Sequence, residues 1–184
     1  RRKLMDEAKM SREEAQKLRL GYLEQYGTTL AGLQRHYQVD PRDYLDYVHG
    51  MPLKNYLAPA PELRAMLESL PQRLWVFTNS DKPHVERVLK ILEIEGIFEG
   101  VADIYALDFD IKPTPIAYQK ILALSGNPDP ETCLLLDDRI ENLITARELG
   151  FYTVLVGGDP HPQADLHIQG VLDLPKQMPQ LWKA

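Results

Sequence analysis

The sequence has one cysteine, no long apolar run and no cluster of basic residues. A single thiol, Cys133, excludes an internal disulfide framework. Its place in an apolar run predicts a buried thiol. No stretch approaches the roughly 20 apolar residues with which a helix crosses a bilayer, so no membrane partner is expected. Nothing suggests secretion, and a cytoplasmic location is expected. Nucleic-acid surfaces rely on clustered Lys and Arg. With a net charge of −6 and no basic run, nucleic acid is not an expected partner. A recognisable nucleophile is also lacking. The histidines, His36, His49, His84, His161 and His167, are scattered, and none follows a strand beside a serine. Each reads as a surface or packing residue. The chain opens on Arg1 rather than Met, and the expectation is that it starts inside a longer product.

What is present suits one domain, or a core domain with a small second one: 184 residues, 44% hydrophobic and 26% charged. Residues 1–57 show helical spacing and no strand signal. Leu4, Ala8, Ala15, Leu18, Tyr22 and Tyr26 follow a helical period interrupted near Ser11, where Ser11 and Glu14 form a capping-box pattern. Gly27 ends that helix. A short helix over 28–37 follows. Asp40-Pro41 opens a third, with Asp40 as cap and Pro41 in the first turn. The turn Pro59-Ala60-Pro61 marks a boundary, dividing a helical part (1–58) from a second part (59–184).

Beyond it the period changes. Strands are expected at 74–77, 101–107, 133–136, 151–156 and 166–168, with helices at 62–70, 83–92 and 115–124, through Leu143, Ala146 and Leu149 up to Gly150, and at 172–181. Alternating strands and helices predict an α/β fold with a parallel, Rossmann-like sheet flanked by helices.

The stretch Cys133-Leu134-Leu135-Leu136-Asp137-Asp138 organises this second part. Four apolar residues make a short strand, and two carboxylates stand where it ends. Ligands of open α/β sheets bind at the carboxyl ends of strands. Adjacent acids repel and resist desolvation, so the pair needs a cation or donors. Helix capping is the alternative, but one Asp would serve for that. Asn142 follows one helical turn after Asp138 and can share its face. Asp137, Asp138 and Asn142 are hard oxygen donors suited to Mg²⁺, which keeps waters and pairs with substrate phosphate.

Two further stretches fall after strands. Thr78-Asn79-Ser80 offers a hydroxyl, an amide and free N–H groups for phosphate oxygens, or a simple helix cap. Lys112-Pro113 offers a point charge for carboxylate or phosphate; alone it would read as a surface lysine. Asp108 and Asp110 read as solvated loop acids. Together the hydroxyl, lysine and acid pair suit phosphoryl chemistry.

These motifs, in this order, resemble those of the haloacid dehalogenase-like hydrolases. Thr78-Asn79-Ser80 resembles the family's hydroxyl motif, Lys112-Pro113 its lysine motif, and Asp137-Asp138 with Asn142 its acidic motif. The helical part resembles the family's inserted cap. Tyr26-Gly27-Thr28-Thr29-Leu30-Ala31-Gly32-Leu33, with His36, Tyr44 and Val48-His49, resembles the pyrimidine 5′-nucleotidase branch. The resemblance implies a Mg²⁺-dependent phosphomonoester hydrolase working through an aspartyl phosphate on a small phosphorylated substrate, in the narrower match a nucleoside monophosphate. It implies Lys112 and Thr78 in catalysis, and Thr78, Asn79, Ser80, Thr28 and His49 at the substrate. Asp138, Asp137 and Asn142 would serve the metal.

The family's fourth motif, a central strand ending in Asp-x-Asp before the cap, has no counterpart here. Asp108-Phe109-Asp110 has the letters in the wrong place. The expectation is an upstream strand bearing the nucleophile. Three alternatives stay open: a catalytically inactive relative that binds, a receiver-type signalling module, and a 2-haloacid dehalogenase. A receiver has its acid pair first, and here it is last. The dehalogenase works without Mg²⁺, which the paired acids count against.

Overall fold

Local capping chemistry builds the first helices. The structure is a computed structural model describing residues 10–183; Leu4 and Ala8 lie outside them. The chain forms two compact units, Arg1–Met51 and Pro52–Ala184. In the first, Ser11 Oγ accepts from Glu14 N at 3.3 Å, and Glu14 Oε2 accepts from Ser11 N at 2.7 Å. This capping box starts α1 (Arg12–Tyr26), and Gly27 ends it in the left-handed region. Thr28 is the cap of α2 (Thr29–Tyr37), its hydroxyl accepting from Ala31 N. Asp40 caps α3 (Pro41–His49) through Arg42 N. Ala15, Tyr22, Leu30, Leu33 and Leu45 are buried. Gly32 lets α1 and α2 close up, because a Cβ there would collide with the Tyr22 ring. The Tyr22 ring stacks on His36 at 5.3 Å, and Tyr26 Oη lies 2.8 Å from His36 Nε2. These aromatics therefore hold the unit together.

The second unit runs α4 (Pro61–Glu68), β1 (Trp75–Phe77), α5 (Lys82–Leu92), β2 (Gly100–Ala102), α6 (Pro115–Leu124), β3 (Leu134–Asp137), α7 (Ile140–Glu148), β4 (Tyr152–Val156), β5 (Leu166–Ile168) and α8 (Leu174–Gln177). Strand pairing is parallel throughout, as the alternation of strands and helices predicts. Residues alternate in register across both faces. Leu134 and Leu136 pack with Met66, Val154, Ile168, Leu174 and Met178. Leu135 points the other way, toward Ala117, Tyr118, Ala146 and Phe151.

The sheet is in two pieces, β1-β2 and β3-β4-β5. Among the described residues, β1 and β3 each have a strand on one edge only. Burial agrees: Thr153, Val154 and Leu155 in β4 are buried, whereas all of β1 and β3 is only half-buried. No helix among the described residues is long and apolar enough to cross a membrane.

Three expectations need correction. Cys133 is half-buried rather than buried, because the turn Pro130–Thr132 ends on it and the strand begins one residue later. Burial still pushes its thiol up. The second strand stops at Ala102, not 107, because Asp103 turns the chain: its carboxylate accepts from Ala106 N and Lys82 N, both at 2.8 Å. Asp108 and Asp110 are not merely solvated. Lys120, delivered by α6, pairs with them at 2.9 and 2.8 Å and donates to Leu107 O at 2.7 Å.

Candidate active site

The carboxyl ends of β1 and β3 converge on one cation. Lys112, in the loop between β2 and α6, is only 7% exposed, so the surface reading of this lysine does not hold. Its Nζ donates to Asp137 Oδ2 at 2.6 Å and to Phe77 O at 2.9 Å. It also stands 4.8 Å from the Phe77 ring centroid. An ammonium has three hydrogens, so one remains for a ligand.

Asp137 is satisfied by protein on both oxygens. Oδ1 accepts from Arg139 N and from Asn142 Nδ2, both at 2.9 Å. Charge-assisted bonds of this kind fix the side chain in place. Asp138 differs. It is exposed, and its carboxylate has no partner among the described residues.

Asn142 is 3% exposed, and its Oδ1 has no partner among the described residues. Reversing the amide would set that oxygen against Asp137 Oδ1, so Asp137 fixes its orientation. An orphaned buried acceptor is costly without a donor or a cation. Among the described residues no group of three or more His, Cys, Asp or Glu side chains could hold a metal ion. Mg²⁺ does not need such a cage, since it keeps waters and uses one or two carboxylates with substrate phosphate. The free Asp138 carboxylate and Asn142 Oδ1 are hard oxygen donors that fit it.

Thr78 follows β1 directly. Its N–H extends the pairing to Ala102 O, and its Oγ1 accepts from Ser80 N at 3.0 Å. The hydroxyl hydrogen is thus left to donate. Asn79 turns its side-chain amide onto the Lys112 backbone at 2.8 Å, and its backbone N–H is unpaired among the described residues. The N-cap position of α5 is Asp81, so Thr78, Asn79 and Ser80 lie before the cap. Thr28 and His49 belong to the helical unit, Thr28 as a helix cap and His49 as the last residue of α3.

Two contributors carry no signal in sequence. Tyr118 is fully buried, donates to Asn142 O at 2.6 Å and meets the Phe77 ring edge-on. Burial first, and the Asp137 charge second, push its hydroxyl well above the ordinary range. Asp103 accepts from Lys82 N at the start of α5, bracing the segment after Thr78.

Comparison with known proteins gives the family and the fold. The family model described as haloacid dehalogenase-like hydrolase matches residues 3–150. Phosphate metabolism protein 8 of Saccharomyces cerevisiae is 31% identical over 159 residues, 78% of this chain and 49% of the relative. The chain thus spans about half the length of that curated relative. Among solved structures, a HAD phosphatase from Thermococcus onnurineus superposes with a TM-score of 0.63 at 17% identity, covering 95% of this chain and 84% of that one. L-2-haloacid dehalogenase from Xanthobacter autotrophicus, with chloropropionic acid covalently bound, gives 0.60 at 16% identity, covering 90% and 82%. At such identities the structures speak for the fold alone.

Proposed function

The chain belongs to the haloacid dehalogenase-like hydrolases, and from that premise we propose that it is a Mg²⁺-dependent phosphomonoester hydrolase. The carrying observation is the buried Lys112 ammonium, which spans the ends of β1 and β3 and keeps one hydrogen free. Asp138 and Asn142 Oδ1 would hold Mg²⁺, with Asp137 in support through Lys112 and Asn142. When bound, Mg²⁺ neutralises phosphate charge. The Thr78 hydroxyl and the Asn79 backbone N–H donate to oxygens of the transferring phosphoryl group. The free Lys112 hydrogen keeps an attacking carboxylate ionised.

In this reading that carboxylate is an aspartate of an Asp-x-Asp strand lying between β1 and β3. Each of these strands has an edge without a partner strand among the described residues, and this, with the half-burial of both, supports its place. It takes the phosphoryl group as an aspartyl phosphate, which water then cleaves. We assign the choice of substrate to the helical unit, the segment that resembles the family's cap. The substrate class is a small phosphorylated molecule, and we narrow it to nucleoside monophosphates on the motif around Thr28 and His49.

The test is Asp138→Asn in the intact gene product. Mg²⁺-dependent hydrolysis of a generic phosphate ester should vanish while thermal stability holds, because Asp138 is exposed and unpaired. Unchanged turnover at saturating Mg²⁺ would refute the assignment.

A further inference from the structure

Asn79 closes both backbone groups of one distant residue. Its Nδ2 donates to Lys112 O and its Oδ1 accepts from Lys112 N, each at 2.8 Å, across 33 residues of sequence. This is the pair of hydrogen bonds that a neighbouring strand would supply, made by a side chain. No helix or strand holds Lys112 otherwise, since residues 103–114 lie between β2 and α6. That segment is strained. Asp108 and Phe109 are successive non-glycine residues with φ of 51° and 63°. Such conformations persist only where their surroundings over-determine them. Lys120 restrains the segment at Leu107, Asp108 and Asp110. Its hold ends two residues before Lys112. The Asn79 amide is the hydrogen-bonding contact on the Lys112 backbone among the described residues.

We propose that Asn79 is the positioning residue of the Lys112 ammonium, and that its side chain is not a phosphate ligand. The inference rests on the reading of Lys112 as the cation of a phosphate site. The lysine side chain has four rotatable bonds, so aiming its nitrogen at Phe77 O and Asp137 Oδ2 requires a fixed backbone beneath it. The Asn79 amide cannot swing to a substrate without releasing that backbone. Its own backbone N–H stays free for the substrate, so motif and clamp are served by different atoms of one residue. Misplacing a catalytic group by about 1 Å costs roughly 100-fold in rate.

The test uses the intact gene product and has two arms. The first is hydrogen exchange at the Lys112 amide, followed by NMR, and needs no activity. In the parent this loop amide should be protected. In Asn79→Ala it should exchange at least about tenfold faster, while the amides of Val154 and Leu155 keep their rates and show the fold intact. A Lys112 amide that exchanges in the parent like an open loop, or whose rate Asn79→Ala leaves unchanged, overturns the proposal. The second arm is a double-mutant cycle on a generic phosphate ester. Asn79→Ala should lower kcat roughly 100-fold with KM little changed, and adding it to Lys112→Met should lower kcat no further. Losses that multiply would return Asn79 to direct substrate binding and overturn the proposal. Should Asn79→Ala not fold, Asn79→Asp replaces it, keeping the acceptor for Lys112 N–H and losing the donor to Lys112 O. A parent without any esterase activity defeats the phosphatase reading instead, and the exchange arm alone then decides the clamp.

Discussion

Lys112→Met tests the centre of the site through stability as well as rate. The side chains of Lys112 and Asp137 are 8% and 6% exposed, so water barely screens the pair. Removing one partner of a buried pair costs about 3–5 kcal/mol, because the other charge stays buried. Asp137 keeps donors from Arg139 N and Asn142 Nδ2, which places the cost at the low end, about 3 kcal/mol. Methionine fills the space of the lysine stem and keeps its contact with Phe77, so little cavity cost is added. For a chain of this size about 3 kcal/mol lowers Tm by roughly 10 °C. Urea denaturation followed by circular dichroism measures it. Asp137→Asn in the same chain removes the stranded charge, and the double variant should recover most of the loss. On the enzymatic side kcat should fall by several decades with KM little changed. A loss within about 0.5 kcal/mol, as at a surface lysine, would refute the reasoning.

Two further outcomes are expected. Replacing Thr28 or His49 should change the preference among nucleoside monophosphates more than the rate on a small artificial ester, and a flat panel of phosphate esters would remove the nucleotidase reading. Tyr118 is a buried acid whose pKa is raised, so the stability it contributes is present below its unfolded value of about 10 and is lost as pH rises. Tyr118→Phe should cost about 1 kcal/mol at neutral pH through the lost bond to Asn142 O. It should also flatten the fall of the denaturation midpoint between about pH 9 and 11, and equal slopes in the two proteins would refute this.

What the sequence determined by itself is local. Ser11 with Glu14, Gly27, and Asp40 with Pro41 act on backbone groups within four residues, so their chemistry can be read without a fold. The run into Asp137-Asp138 was legible for the same reason, because strand end, acid pair and helix start are consecutive. The order of the three motifs carried the family.

Tertiary structure decided the rest. Lys112 and Asp137 are 25 residues apart, and no spacing rule states that they meet at 2.6 Å. Lys120 converts two loop acids into ion pairs only because α6 brings it there. Asn79 reads as a cap or a phosphate ligand in sequence, and the fold spends its amide on Lys112. The physical reason is range. Capping and periodicity act over one or two turns of chain, whereas an ion pair or a side-chain clamp acts over 3 to 4 Å of space. Which segments come that close is set by how strands and helices pack.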